Sequence, residues 1–305
     1  MSLSLNERIS NSLKALERLK PVFRLDRLPT RSGNRQHRSR KAARNELPGA
    51  INPQAPPSLE ELLRQAGPFP PDTLVLGACD DGMPFTLDLN NPAPGALLYA
   101  GDQAGDNSAW LHAALASAIR LNPSRSLQLW VIAPHSEIYQ DVIHHPHLRH
   151  LASPEELVTS VLIQEVLELV EQRRHDDPRG PACILAIDDL ASLLHNIDAE
   201  LYRPLNVVLR HGPRSRIWPI ATLSASQASQ VDEHLLSSFR TRLIGLTADY
   251  NLGAYLAQDD RLDASRIRDK RQFYAPLGDD WIRVWTCEPA AAWPETTRQV
   301  KEYLK

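Results

Sequence analysis

Apolar runs alternate with helical patterns from about residue 73 onward. The runs predict buried strands at GALLYAG (95–101), LQLWVIAP (127–134), ACILAIDDL (182–190), IWPIATLS (217–224) and RLIGLTA (242–248). The longest helix is predicted from Ser153 to about Arg174, because Ser153 and Glu156 have the spacing of a capping box. Strands that alternate with helices predict an α/β domain with a mainly parallel sheet and helices on both faces.

The first 72 residues have a different pattern. Residues 3–20 carry an apolar stripe at helical spacing and predict an amphipathic helix, with Leu5, Ile9, Leu13, Leu16 and Leu19 on the stripe. We therefore expect three parts: a docking helix (1–22), a linker that is basic and then proline-rich (23–72), and the α/β domain (73–305). Within these parts, short helices are predicted at 58–65 and 294–304.

Charge is distributed unevenly along the chain. Residues 24–44 hold eight Lys or Arg and one acid, a net +7, which leaves −10 for the rest of a chain whose net charge is −3. A basic arm on an acidic body favours binding to nucleic acid or to an acidic protein surface. The alternative is a solvated linker with no dedicated ligand.

The composition is that of a soluble globular protein, with 42% hydrophobic and 23% charged residues. No apolar run reaches the length of a membrane span. The three cysteines are odd in number and far apart, which favours a reducing cytoplasm as the location.

The loop after the strand at 95–101 partly matches a phosphate-binding loop, whose pattern is G-x-x-x-x-G-K-[ST]. Gly101 and Ser108 are in register, but Asp106 stands at the second glycine and Asn107 at the lysine. Some eighty residues later an apolar strand ends in Asp-Asp at positions 188–189, where a magnesium-coordinating acid and a water-activating acid would belong. The alternative for these two acids is a strand end or a helix cap.

The order of these and other motifs resembles the motor domain of the FtsK/SpoIIIE DNA translocases, within the FtsK/HerA class of P-loop ATPases. The resemblance runs from about Leu74 to the carboxyl terminus, about three quarters of the chain. It rests on the segments LVLGACDDGMPFTLDL, GALLYAG, SPEELVTSVLIQEVLELVEQRRH, CILAIDDLASLL, PIATLSAS, FRTRLIGL and RQFYAPLGDDWIRVW. It implies a P-loop NTPase fold of the RecA/FtsK type.

The departures from this family fall in its ATP site. The resemblance implies a degenerate nucleotide site at Gly101, Asp106, Asn107, Ser108 and Thr222, with Asp188 and Asp189 as vestigial Walker B acids. The family's polar sensor position holds Leu223, which cannot form a hydrogen bond through its side chain. No cofactor is expected. ATP and Mg²⁺ are expected as ligands only if the degenerate site still binds them.

Ring ATPases can also use an arginine that reaches a neighbouring subunit's phosphates. Arg240 and Arg242 are the candidates for this in-trans role, the alternative being ordinary surface charges. The histidines at 144, 145, 147 and 150 predict a surface loop rather than a metal site, because Pro146 breaks helical spacing and no cysteine or paired acid is near in sequence.

Two functions remain open at this stage. The first is a catalytically impaired ATPase module, a structural or regulatory subunit that assembles with a partner protein or in a ring beside active subunits. The second is a weakly active ATP-driven nucleic-acid translocase subunit, with nucleic acid held through residues 24–44. No membrane partner is expected.

Overall fold

A ten-stranded mixed sheet forms the centre of the structure. The computed structural model describes residues 57–175 and 180–288, and the helices predicted at 3–20 and 294–304 lie outside these ranges. In chain order the strands are β1 (Thr73–Cys79), β2 (Pro84–Asp88), β3 (Ala96–Gly101), β4 (Leu127–Ile132), β5 (Leu148–Ala152), β6 (Ala182–Ile187), β7 (Ile217–Ser224), β8 (Phe239–Gly245), β9 (Gln272–Leu277) and β10 (Asp280–Trp285).

The strand order across the sheet is β2-β1-β10-β9-β8-β3-β7-β6-β4-β5. The six strands from β8 to β5 run parallel, whereas β9, β10, β1 and β2 pair antiparallel at the other end. The mainly parallel sheet predicted from the sequence is confirmed. Strands β3 and β6 are buried at every position, as expected of central strands covered on both faces.

Helices cover both faces of this sheet. They are α1 (Leu59–Ala66), α2 (Ala104–Leu121), α3 (Gln140–Ile143), α4 (Leu157–His175), α5 (Leu190–Asn196), α6 (Tyr202–His211), α7 (Glu233–Leu236) and α8 (Tyr250–Ala257). Helix α2 contributes to one apolar core, and α4, α5 and α6 contribute to the core on the opposite face. Within the described ranges, none of these helices combines the length and apolar character that crossing a bilayer requires.

Helix α1 belongs to the α/β domain, although the sequence places it in a linker. The side chains of Leu59 and Leu62 are buried against an apolar group that includes Val75 and Ala116. The Leu59 N–H also donates to the Glu288 carbonyl at 2.8 Å. The last part of the predicted linker, from residue 57, therefore packs as part of the domain. Contacts divide the chain into Met1–Glu46 and Leu47–Lys305, and the first unit lies outside the described ranges.

Helix α4 begins later than predicted. It starts at Leu157, because the Ser153 carbonyl accepts hydrogen bonds from the Glu156 N–H (3.1 Å) and the Thr159 hydroxyl (2.6 Å). These bonds hold the residues after Ser153 in a turn. The predicted capping box at Ser153 therefore does not form.

The histidine-rich stretch is not simply a surface loop. Its second half contains the edge strand β5, and His147 is only 6% exposed, with Nε2 donating to the Asn122 carbonyl at 2.8 Å. Burial lowers the pKa of this imidazole. Among the described residues, no three His, Cys, Asp or Glu side chains come together as a metal site would need.

Arg242 on β8 connects two helix ends to the sheet by hydrogen bonds. Its side chain is buried at 5% exposure, and its guanidinium donates to the carbonyls of Leu236 (2.7 Å) and Leu256 (2.8 Å). These carbonyls belong to the last turns of α7 and α8, where a cation also interacts favourably with the helix dipole. Arg242 therefore lies in the interior, with its guanidinium bonded within its own chain. Arg240, two residues earlier, is exposed.

Replacing Arg242 by methionine should destabilise the fold by about 2 to 4 kcal/mol, because the buried carbonyls at two helix ends lose their donors. Arg240→Met is the matched control and should change the free energy of unfolding by less than about 0.5 kcal/mol. Urea denaturation measures both. Equal effects of the two substitutions would contradict a structural role specific to Arg242.

Candidate nucleotide site

The candidate site lies where the parallel strands end. Strands β3, β7, β6 and β4 are adjacent, and their carboxyl ends meet at one edge of the sheet. The predicted loop follows β3, the acid pair follows β6, and Thr222 lies near the end of β7. The topology therefore brings together these three predicted parts of the site, at the edge where open α/β sheets bind ligands.

Asp188 is the centre of this site. It is 2% exposed, and three hydroxyl groups donate to its carboxylate: Ser108 (2.9 Å) and Thr222 (2.8 Å) to Oδ1, and Tyr139 (3.0 Å) to Oδ2. The Thr222 oxygen in turn accepts the Asp189 N–H at 2.8 Å. The hydroxyl donors come from α2, from β7 and from the short 3₁₀ turn after β4, so the carboxylate connects three elements.

Burial raises the pKa of the Asp188 carboxyl, whereas the three hydroxyl donors act in the opposite direction. Burial has the larger effect on the pKa. It raises the pKa because desolvation penalises the charged form. Nearby Asp189 adds a smaller repulsion in the same direction as burial.

Asn107 occupies the position of the phosphate-binding lysine as a buried structural residue. Its side chain is 2% exposed, and Nδ2 donates to the carbonyls of Gly101 (3.2 Å) and Leu223 (3.0 Å). These carbonyls lie at the ends of neighbouring strands β3 and β7. A Cβ at position 101 would lie 2.9 Å from the Asn107 Oδ1, so a larger residue than Gly101 would displace the Asn107 amide. The Asn107 amide therefore points inward to the sheet rather than outward.

Helix α2 begins at Ala104, four residues before the predicted start at Ser108. Only Asp102 and Gln103 separate it from β3. The backbone N–H groups of Asp106 and Asn107 both donate to the Gln103 carbonyl at 3.1 Å. A phosphate-binding loop needs free backbone N–H groups that point at its ligand. Here two of those groups are already used within the helix.

Asp106 stabilises this early helix start. It lies in the first turn, where a negative charge interacts favourably with the helix dipole. Its carboxylate pairs with the Lys270 ammonium at 3.1 Å. Asp102, on the other side of the loop, accepts the Ala248 N–H at 2.7 Å. Both acidic side chains therefore have partners within the chain.

Asp189 caps helix α5. It adopts a left-handed backbone conformation (φ 63°), and its carboxylate accepts the Ser192 N–H at 3.2 Å. This is the helix-cap alternative left open by the sequence. Leu223, at the sensor position, is fully buried.

The structure brings together most of the residues predicted for the site. Gly101, Asn107, Ser108, Thr222 and Asp188 are joined by hydrogen bonds or close contact, with Asp106 and Asp189 in neighbouring turns. Arg240 and Arg242 do not join them, since they begin strand β8 while the site lies at the carboxyl ends.

Tyr139 and Lys270 were not predicted. Each contacts the site from a segment distant in sequence, and no local pattern marks either residue. A search for polar residues in the loops that follow each parallel strand would find Tyr139.

The structure is similar to solved structures of P-loop ATPase domains. The pCW3 conjugation coupling protein TcpA, in its monomer form with ATPγS, superposes with a TM-score of 0.63 at 14% identity, over 79% of this chain and 71% of TcpA. The cytoplasmic domain of the Thermomonospora curvata type VII secretion ATPase EccC gives 0.60 at 15% identity, over 79% and 33%. EssC ATPases 2 and 3 from Geobacillus thermodenitrificans give 0.60 at 13% identity, over 82% and 49%.

The fold is that of FtsK/HerA-class P-loop ATPase domains. The fold expected from the motif order is therefore confirmed. This chain spans about a third of the EccC structure and about half of the EssC structure. No protein-family model matches the chain, and neither does any curated protein sequence.

Asn107→Ala should destabilise the protein by about 1 to 3 kcal/mol, because the carbonyls of Gly101 and Leu223 lose a buried donor. Asn107→Asp keeps the shape but replaces the donor with a charge and should cost more. Exposed Gln103→Ala is the control. If urea denaturation gives Asn107→Asp and Gln103→Ala similar losses in the free energy of unfolding, the structural role of Asn107 is contradicted.

The raised pKa of Asp188 predicts a pH dependence of stability. Because the folded value lies above the unfolded one of about 3.9, the contribution of Asp188 is fully present below that value. It is lost as pH rises from there through the folded pKa. The free energy of unfolding should therefore fall with rising pH in the native protein relative to Asp188→Asn over this window.

Asp198→Asn removes the same formal charge from an exposed position and serves as the control. Urea denaturation at a series of pH values measures all three proteins. If the free energy of unfolding of the native protein minus that of Asp188→Asn rises with pH, the burial argument for Asp188 is contradicted.

Proposed function

We propose that this protein is a catalytically impaired ATPase-fold module, a structural or regulatory subunit that assembles with a partner protein or in a ring beside active subunits. The observation that carries this proposal is the position of Asn107. Its side chain is buried and bonded to two strand ends, at the position where an active loop presents a lysine to the phosphates.

The residues of the loop after β3 do not fit a nucleoside triphosphate with its Mg²⁺. The lysine charge is missing, two loop N–H groups are used in helix α2, and Asp102 and Asp106 place negative charge beside the position of the phosphates. Like charges at such separations repel strongly in a partly buried site. Hydrolysis would also need a polar group at position 223, which is leucine.

Assembly is supported by the occurrence of this fold as one of several ATPase domains in longer proteins. EssC and EccC carry it as numbered ATPase domains within one longer chain. A module that keeps this fold can keep the surfaces by which such domains pack, even when its own site is closed. We further propose that nucleic acid or an acidic protein surface binds residues 24–44, and that the protein acts in the cytoplasm.

The second candidate is a weakly active ATP-driven nucleic-acid translocase subunit. It is favoured by the Ser108–Asp188 pair at 2.9 Å, since in P-loop ATPases the loop Ser/Thr and the Walker B Asp together hold Mg²⁺. It requires the amino end of α2 to rearrange before phosphates could enter. An exposed Arg240 stays available in this case for an in-trans role.

The purified protein should show no ATPase activity above background, and binding of ATP–Mg²⁺ should be weaker than about millimolar, near −4 kcal/mol. Steady-state turnover and isothermal titration calorimetry measure these quantities. The double variant Asp106→Gly/Asn107→Lys restores the loop glycine and lysine, and it should bind ATP–Mg²⁺ more tightly than the native protein while being less stable.

Adding Asp188→Ala to the double variant is the control, since it removes the carboxylate that Ser108 and a bound metal would share. This triple variant should lose the gain in affinity. Micromolar binding by the native protein, or turnover that Asp188→Ala abolishes, would contradict the proposal and favour the translocase.

A further inference from the structure

A buried tyrosine occupies the second oxygen of the Asp188 carboxylate. Tyr139 is 0% exposed, and its hydroxyl donates to Asp188 Oδ2 at 3.0 Å. The first oxygen, Oδ1, accepts the hydroxyls of Ser108 at 2.9 Å and Thr222 at 2.8 Å. Both oxygens of this carboxylate are therefore engaged by side chains of the same domain.

This arrangement does not fit Mg²⁺. The ion requires near-octahedral oxygen ligands at about 2.0 to 2.1 Å and usually keeps several of its waters. A Walker B carboxylate has to face that hydrated ion. Here the Asp188 side chain is 2% exposed, and the phenol bonded to its Oδ2 is fully buried. An ion with its waters could therefore reach Oδ2 only if Tyr139 moved away.

A second contact holds Tyr139 in this position. His112 follows Ser108 at i+4 on α2, so the two side chains share a face of that helix. The His112 Nε2 lies 2.8 and 2.9 Å from the two carboxylate oxygens of Asp141, two residues after Tyr139. The rings of His112 and Tyr139 also meet edge to face, with 5.9 Å between their centroids. The segment that carries Tyr139 is therefore bonded to the helix that carries Ser108.

We propose that Tyr139 keeps Mg²⁺ from Asp188 in the native protein, and that His112 acts through Asp141 as a positioning residue for Tyr139. This inference rests on the proposed function and deepens it, because it assigns to the site an obstacle separate from Asn107 and Asp106. Restoring the loop glycine and lysine would leave this obstacle in place and would therefore recover only part of the affinity for ATP–Mg²⁺.

Titration of the full-length chain with Mn²⁺ tests the inference without nucleotide. Mn²⁺ takes the same oxygen ligands as Mg²⁺, and electron paramagnetic resonance measures the free ion. Tyr139→Phe removes only the hydroxyl and should raise the Mn²⁺ affinity about threefold over the native protein. Tyr139→Ala also removes the ring and should raise it about tenfold. Tyr202→Phe is the matched control, since its hydroxyl donates to the Leu194 carbonyl in the last turn of α5, and it should keep the native affinity.

Further variants locate the ion and test the role of His112. Adding Asp188→Asn to Tyr139→Phe should abolish the gain in Mn²⁺ affinity. His112→Ala should give a gain smaller than that of Tyr139→Ala, whereas His112→Gln keeps a donor toward Asp141 and should give the native affinity. His195→Ala removes an exposed imidazole and serves as the control. Tyr139→Phe and His112→Ala keep the inference testable if Tyr139→Ala does not fold.

An Mn²⁺ affinity that no substitution of Tyr139 raises would overturn the inference. A gain that persists after Asp188→Asn would also overturn it, because the ion would then bind elsewhere. Equal Mn²⁺ affinities of His112→Ala and His112→Gln would overturn the positioning role. None of these results depends on ATP, whereas the proposed function fails separately, if the native protein binds ATP–Mg²⁺ tightly or hydrolyses it.

Discussion

One buried carboxylate organises the edge of this sheet at which the parallel strands end. Asp188 needs hydrogen-bond donors because an ionised group without them would be strongly destabilising at 2% exposure. Its three donors, Ser108, Thr222 and Tyr139, belong to helix α2, strand β7 and the turn after β4. Satisfying the carboxylate therefore fixes the relative positions of these elements. The chain's loop after β3 is held in place by the same bonds, through Ser108.

Under the proposed function, the same scaffold that would hold a metal and phosphates is closed by its own side chains. Ser108 and Asp188 keep their mutual contact, but Asn107 turns inward to the ends of β3 and β7. Asp106 stabilises the first turn of α2 and pairs with Lys270. It stands where a phosphate-binding loop has a glycine. Asn107 and Asp106, which under the proposed function weaken nucleotide binding, thus both have structural roles in this fold.

Buried strands were predictable because a parallel strand covered on both faces is a continuous apolar run, as at 182–187. Strand β5 was not, since Arg149 and His150 give an edge strand the polar character of a loop. The role of Asn107 depends on Leu223, which is 116 residues away in sequence. Local patterns carry no information about such contacts. Asp188 was predictable as a site residue, whereas no local motif marks its partner Tyr139.

Under the proposed function, a closed site also limits how the module could be regulated. A ligand shifts a conformational equilibrium only by binding one state better than another. A module that does not bind nucleotide therefore gains no switch from the ATP cycle of its neighbours, except through contacts with them. Its surfaces then matter more than its site. Regulation of such a module would act on the surfaces that contact those neighbours.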